Sequence, residues 1–156
     1  MKLSLICVGR LSLPYLRDGV DDYGGRLQRY LPMRTLELKE EKAARAEPAY
    51  LQEREGRRIL EKVPAGAWVI ALDERGRSYT SEGVAELLGK HMLQGTAELV
   101  FIIGGAYGLS DAVRQRADLV WSLSSLTLTH QMARLLLLEQ LYRGLTILRN
   151  EPYHNR

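Results

Sequence analysis

The chain predicts an α/β fold: a mostly parallel sheet covered by helices on both faces. Three observations carry that expectation. Short apolar runs of strand length alternate with helix-length segments along all 156 residues. Two runs, AWVIALD (67–73) and AELVFIIG (97–104), are apolar almost without a break, as strands buried on both faces are. No composition break, low-complexity tract or internal repeat divides the chain, so a single domain over 1–156 is expected.

The elements follow in order. KLSLICV (2–8) reads as a strand. A helix-like segment runs from Pro14 to Leu31, with a weak spot at Gly24-Gly25. MRTLELK (33–39) alternates like a half-buried strand, with Met33, Thr35 and Glu37 opposing Arg34, Leu36 and Leu38. KEEKAARAEP (39–48) is a charged surface loop. EPAYLQEREGRRILEKV (47–63) is a polar amphipathic helix, and Pro48 suits its first turn. The strand at 67–73 comes next. TSEGVAELLGKHMLQG (80–95) is a helix that Thr80 can cap, with Glu82 near the positive end of its dipole. After the strand at 97–104, SDAVRQRA (110–117) is a short helix with Ser110 as its cap. DLVWSLS (118–124) is a fifth strand, and the last helix runs from Thr129 to Leu148.

Composition narrows the class. The one cysteine, Cys7, cannot form an intramolecular disulfide, which suits a reducing compartment. It sits in an apolar run and reads as a buried small hydrophobe. The apolar stretch of MKLSLICVGR is too short for a signal peptide. Arg134, Glu139 and Arg143 interrupt 130–148, so no membrane span is expected there. A cytoplasmic protein is the expectation. Net charge is +3, a mild hint of an anionic partner. Of 22 basic residues 17 are Arg, the better bidentate phosphate ligand, although base composition of the genome would explain that equally.

In open parallel sheets ligands bind beyond the carboxyl ends of strands. The unusual residues sit at three such ends: LDERGRS after 67–72, GGAYGLS after 98–103 and SSLTLTH after 118–123. One crevice lined by all three is the simplest arrangement. GGAYG is neither a dinucleotide fingerprint nor a phosphate-binding Walker loop. His91, His130 and His154 lie far apart, so no metal cage is expected. There is no G-x-S-x-G nucleophile elbow. What remains is a neutral ligand held mostly by backbone, such as an adenosine moiety, or glycines that merely turn a strand into a loop.

Two further features stand near the end. Leu135, Leu136, Leu137 and Leu138 are consecutive, and at about 100° per residue they cover most of a helix circumference. That suggests a second hydrophobic interface and a homodimer, or one exposed leucine. The tail NEPYHNR is either disordered or a donated piece of a site.

LDERG, FIIGGAYGLS, WSLSSLTLTHQMARLLLLEQLYRGLTIL and PYH, in this order and in a chain of this length, resemble the bacterial RlmH family. These are 23S rRNA pseudouridine N3-methyltransferases of the SPOUT class. The resemblance covers essentially the whole chain and is strongest from Leu72 onward. It implies a C-terminal trefoil knot, a homodimer and S-adenosylmethionine bound in the knot. The implied cofactor contacts are Leu72, Gly104, Gly105, Ser124, Ser125, Leu126, Thr127, Leu128 and Thr129. The implied substrate is a pseudouridine in helix 69 of 23S rRNA within the assembled 70S ribosome. No metal and no membrane are implied.

The imide N3 is a poor nucleophile while protonated. His154 is the first choice for handling that proton. Tyr153 would stack on or orient the base, and Arg143 and Arg156 would hold phosphate or stabilise the developing anion. Glu139 would orient Arg143. The family tail has a basic residue straight after P-Y-H, whereas here Asn155 intervenes before Arg156. The rival readings are a SPOUT enzyme acting on another RNA such as tRNA, a non-catalytic ribosome-binding factor, and a nicotinamide-dependent oxidoreductase.

Overall fold

The computed structural model of the chain describes residues 1–42 and 45–155. Part of the expected loop at 39–48 and the final residue, Arg156, lie outside the described residues.

Five strands form one parallel sheet. They are β1 (Lys2–Val8), β2 (Met33–Leu38), β3 (Trp68–Ser78), β4 (Glu98–Ile103) and β5 (Leu119–Ser122), in the order β2-β1-β4-β3-β5. The helices are α1 (Pro14–Leu27), α2 (Pro48–Lys62), α3 (Ser81–Leu93), α4 (Asp111–Arg116) and α5 (His130–Leu148).

Side chains on a strand alternate between faces, and the core divides accordingly. Leu3, Leu5 and Cys7 of β1, with Leu99, Phe101 and Ile103 of β4, pack against α1, α3 and α5. Ile6 and Val8, with Val100 and Ile102, pack against α2 and α4. The near-continuous apolar runs are therefore strands buried on both faces. Cys7 is a free, buried thiol, and burial pushes it up to about 11, so it behaves as a small hydrophobe.

Capping side chains fix the helix starts. Thr80 Oγ1 accepts from the Gly83 amide, Ser110 Oγ from Val113 and Thr129 Oγ1 from Met132. Pro48 opens α2 as expected. The helix from Pro14 continues through Gly24-Gly25 and stops at Leu27, short of Leu31.

β3 departs most from expectation. It continues five residues beyond Asp73, to Ser78. Its register against β5 slips in the middle: Leu72 pairs with Trp121, and Arg77 pairs with Trp121 again. The segment between them is looped out as an extended bulge. Just before pairing resumes, a Cβ on Gly76 would stand 2.6 Å from the carbonyl carbon and oxygen of Val120. Only glycine lets two backbones pass this closely.

The last helix ends in a turn that sequence reading missed. Asn150 has φ +54°, its amide donates to Ile147 O, and the Glu151 amide donates to Thr146 O. This is a Schellman motif, with asparagine in the left-handed position. It reverses the chain, so the tail runs back along α5 instead of fraying.

Candidate functional site

A cavity of about 450 Å3 opens beyond the carboxyl ends of β3, β4 and β5, where the three unusual loops were expected to meet. Leu72, Gly104, Gly105, Ser124, Leu126, Thr127 and Leu128 line it. Ser125 and Thr129 do not. Its volume falls in the usual range for small-molecule sites. Leu72, Ile103, Leu109, Leu123 and Ala133 supply apolar wall, and the 104–108 turn supplies backbone.

The glycines answer first to the chain itself. A Cβ on Gly104 would stand 2.9 Å from Gly108 C, Gly108 O and Leu109 Cδ2. One on Gly105 would stand 3.0 Å from Glu55 Oε1. Gly108 donates its amide to Gly105 O at 3.1 Å and has φ +79°. The turn is wound so tightly that its own packing demands glycine, before any ligand does.

The loop after β5 braces itself similarly. Ser124 Oγ accepts from the Leu126 amide at 2.9 Å, and Ser122 Oγ donates to Ser124 O. Thr129 spends its hydroxyl on capping α5. These side chains shape the loop; its ligand-facing groups are chiefly backbone and Leu126, Thr127 and Leu128.

Sequence reasoning placed the loops that carry Asp73, Arg75, Tyr107 and His130 at the crevice without naming these residues as part of it, and it missed Gln52 of α2. Gln52 Nε2 donates to Tyr107 O and ties the glycine turn to α2. Burial pushes the Asp73 carboxyl up, but hydrogen bonds from Arg75, aided by the Arg75 and Arg114 charges, outweigh it and hold Asp73 below the usual range. His130 opens α5. Burial, aided by the Arg134 charge, holds its ring below the ordinary imidazole value, and its buried Nδ1 has no protein hydrogen-bond partner. The available signal was its position directly after the SSLTLT loop.

Among the described residues no group of three or more His, Cys, Asp or Glu could hold a metal ion. No helix among them is long and apolar enough to cross a membrane.

The tail residues assemble elsewhere. Tyr153 Oη donates to Glu139 Oε1 at 3.0 Å and therefore accepts from Tyr23 Oη at 2.8 Å. Its ring meets Tyr142 edge-on at 4.7 Å, and the Arg143 guanidinium lies over it. Burial, then the hydrogen bonds to Tyr23 and Glu139, raise the Tyr153 hydroxyl above the usual phenol value. Glu139 also accepts from Arg143 Nε at 3.0 Å and, through Oε2, from Gln140. It orients Arg143, as expected, and is committed to donors on both oxygens.

Arg143 Nη1 lies 3.2 Å from His154 Nδ1. A guanidinium cannot accept, so Nδ1 is the acceptor. The proton of a neutral ring then sits on Nε2, 2.9 Å from Glu82 Oε1. Arg156, expected to touch RNA, lies outside the described residues.

The two constellations are well separated. His130 lines the cavity at the start of α5, and Arg143 lies 13 residues further along the same helix. At about 1.5 Å rise per residue that is roughly 20 Å. Neither Arg143, Tyr153 nor His154 lines the cavity of its own chain.

The four consecutive leucines do not by themselves demand a second copy. Leu137 and Leu138 are in the core, and Leu135 packs so closely that a Cβ on Gly19 of α1 would stand 2.9 Å from it. α1, α3 and the sheet cover three sides of α5.

Known proteins resemble this chain along its length. A family model described as "Predicted SPOUT methyltransferase" matches residues 1–154. A protein of Syntrophotalea carbinolica named ribosomal RNA large subunit methyltransferase H is 67% identical over 156 residues, covering 100% of both chains. One of the same name from Trichlorobacter lovleyi is 52% identical over 155 residues, 99% of this chain and 100% of that one. Among solved structures, a probable methyltransferase from Bordetella pertussis Tohama I superposes with a TM-score of 0.56 at 15% identity. It covers 92% of this chain and 96% of that one, a likeness of fold alone.

Proposed function

Because this chain belongs to the SPOUT methyltransferase family, we propose that it methylates large-subunit rRNA with S-adenosylmethionine as donor, at N3 of a pseudouridine in helix 69 of 23S rRNA on the assembled 70S ribosome. The observation that carries this reading is 67% identity, over the full length of both chains, to a protein named for large-subunit rRNA methylation. The implied trefoil knot belongs to the same reading.

The residues present fit the donor. The cavity offers apolar wall and a backbone-lined turn, and His130, one of its lining residues, has a buried Nδ1 with no hydrogen-bond partner among the described residues. Leu72, the Gly104-Gly105 turn and Leu126 to Leu128 would hold it. When bound, it supplies an electrophilic methyl group.

The chain's own residues do the rest. The loops position the acceptor for in-line attack, which is where much of the rate arises. His154 takes the N3 proton, and Arg143 stabilises the charge that develops on the flanking carbonyls. Tyr153 orients Arg143 and, through Glu139, the tail. The separation of about 20 Å along α5 supports a homodimer in which each cavity meets the tail of the partner.

The test is transfer of labelled methyl to 70S ribosomes, free 23S rRNA and bulk tRNA, with a tail-deleted control lacking 152–156. Label in 70S particles only, lost with the tail, is expected. Label in tRNA overturns the substrate. Tight ribosome binding with no label anywhere overturns the enzyme reading.

A further inference from the structure

We propose that Glu82 is a positioning residue: it fixes the tautomer of His154 and so makes Nδ1, not Nε2, the nitrogen that takes the substrate proton. This rests on the reading of His154 as proton acceptor.

The geometry is specific. Glu82 is the second residue of α3, where the helix dipole favours negative charge. Thr80 caps that helix, and Ser81 Oγ bonds Gln140 Oε1 of α5 at 2.7 Å. The start of α3 is thereby held beside Arg143, and Glu82 Oε1 stands 2.9 Å from His154 Nε2. Glu82 shares no sequence neighbourhood with the tail, and a glutamate in a first turn reads as a dipole partner and nothing more.

Both ring nitrogens are committed at rest. Nε2–H donates to the Glu82 carboxylate, and the Nδ1 lone pair accepts from Arg143 Nη1–H. Moving the proton to Nδ1 would set a donor against the guanidinium and turn the Nε2 lone pair toward the carboxylate. The two neighbours therefore select one tautomer together. For His154 to act, Arg143 has to leave Nδ1. Its contact there is the longer of the two, 3.2 Å against 2.9 Å. The imide anion forming on the substrate gives the guanidinium a charged acceptor in its place. The substrate N3–H bond then breaks, its electron pair stays on N3, and the proton forms a new bond to Nδ1. The resulting imidazolium keeps its Nε2–H on the Glu82 carboxylate and later returns the Nδ1 proton to water. Arg143 is in this way a gate as well as an anion holder, and Glu82 the group that keeps the accepting nitrogen turned toward it.

A plain tail-holding ion pair would also place these atoms together, so the test needs a readout that anchoring does not move. Protein with 15N-labelled histidine reports each ring's tautomer by NMR, with His154→Ala assigning the signals. The variants are Glu82→Ala and Glu82→Gln, whose amide oxygen can still accept from Nε2–H. Methyl transfer to 70S ribosomes gives kcat and KM. Expected is an Nε2–H tautomer for His154 in the unaltered protein and in Glu82→Gln, with kcat within about threefold. Glu82→Ala leaves only the Arg143 donor to select the tautomer, so the tautomers should mix in part, and kcat should fall about 10- to 100-fold at unchanged KM. Unchanged tautomer and kcat in Glu82→Ala, or a change confined to KM, overturns the inference. Full activity in His154→Ala overturns the parent reading instead, and the NMR arm still decides the contact. A Glu82→Ala protein that fails to fold leaves the Glu82→Gln spectrum to decide: an Nδ1–H tautomer there overturns the inference.

Discussion

Arg134 Nη1 donates to Glu37 Oε2 across 2.6 Å, so a guanidinium only 1% exposed is neutralised by a carboxylate that reaches solvent. The same guanidinium donates from Nη2 to the carbonyls of Val8 and Gly9, where the chain leaves β1. It links α5 to β1 and edge strand β2. Arg134→Ala should cost about 3 kcal/mol, since it leaves buried carbonyls without a donor and opens a void. Glu37→Gln keeps an acceptor on a half-exposed side chain and should cost about 1 kcal/mol. Urea unfolding of the two variants checks the order.

Two glycines should respond oppositely to alanine. Gly76 meets Val120 backbone, which cannot move aside, so Gly76→Ala should destabilise by more than about 2 kcal/mol and weaken S-adenosylhomocysteine binding. Gly25 lies inside α1 with nothing within 4 Å of the place its methyl would take, so Gly25→Ala should stabilise by about 0.5–1 kcal/mol. Thermal unfolding with and without ligand measures both.

Glu55 predicts a pH effect. It is 4% exposed, its Oε1 has no partner among the described residues, and burial raises its carboxyl above the usual range, outweighing the hydrogen bond from the Glu41 amide, with the charges of Glu40 and Glu41 adding to the shift. The folded state therefore holds this proton more tightly than the unfolded one. Its contribution to stability is fully present below the ordinary glutamate value and is lost as pH rises through the raised one. Glu55→Gln should be more stable than the unaltered chain at neutral pH, by a margin that shrinks on acidification. Stability curves at several pH values decide it, and a margin that grows on acidification would count against the assignment.

His130 should matter for the donor and His91 should not. His130 lines the cavity and its buried Nδ1 has no hydrogen-bond partner among the described residues, whereas His91 packs on Trp68 and bonds Thr96 Oγ1 at 2.9 Å. Loss of one hydrogen bond corresponds to about tenfold in affinity. Calorimetric titration with S-adenosylhomocysteine should show about that loss for His130→Ala and none for His91→Ala.

The sheet was legible because its physics is local. Alternation in β1 and β4 assigns Leu5 and Ile6 to opposite faces whatever the fold, and Thr80 and Ser110 announce helices through their own hydroxyls. β3 was judged too short because Asp73 to Gly76 look like a turn, and the return of Arg77 and Ser78 to β5 pairing depends on a strand distant in sequence. Arg134 looked like a break in an apolar helix, since nothing in the chain near it foretells Glu37 or the carbonyls of Val8 and Gly9. The tail was left open, as disordered or part of a site, for a different reason. Asn150 was a visible stop signal, but the tyrosines that receive Tyr153 come from distant α1 and α5. The three strand-end loops were picked out correctly as one cavity, while the distance between that cavity and His154 is a property of helix length, which no motif reports.

That helix length has a genetic consequence. In the proposed homodimer, where each cavity meets the partner's tail, a pair built from one copy damaged at Leu126 to Leu128 and one copy lacking 152–156 would contain one site with both halves intact and one with neither. Two inactive alleles expressed together should therefore rescue each other, to at most half of the activity per mixed pair, and two alleles damaged at the same end should not.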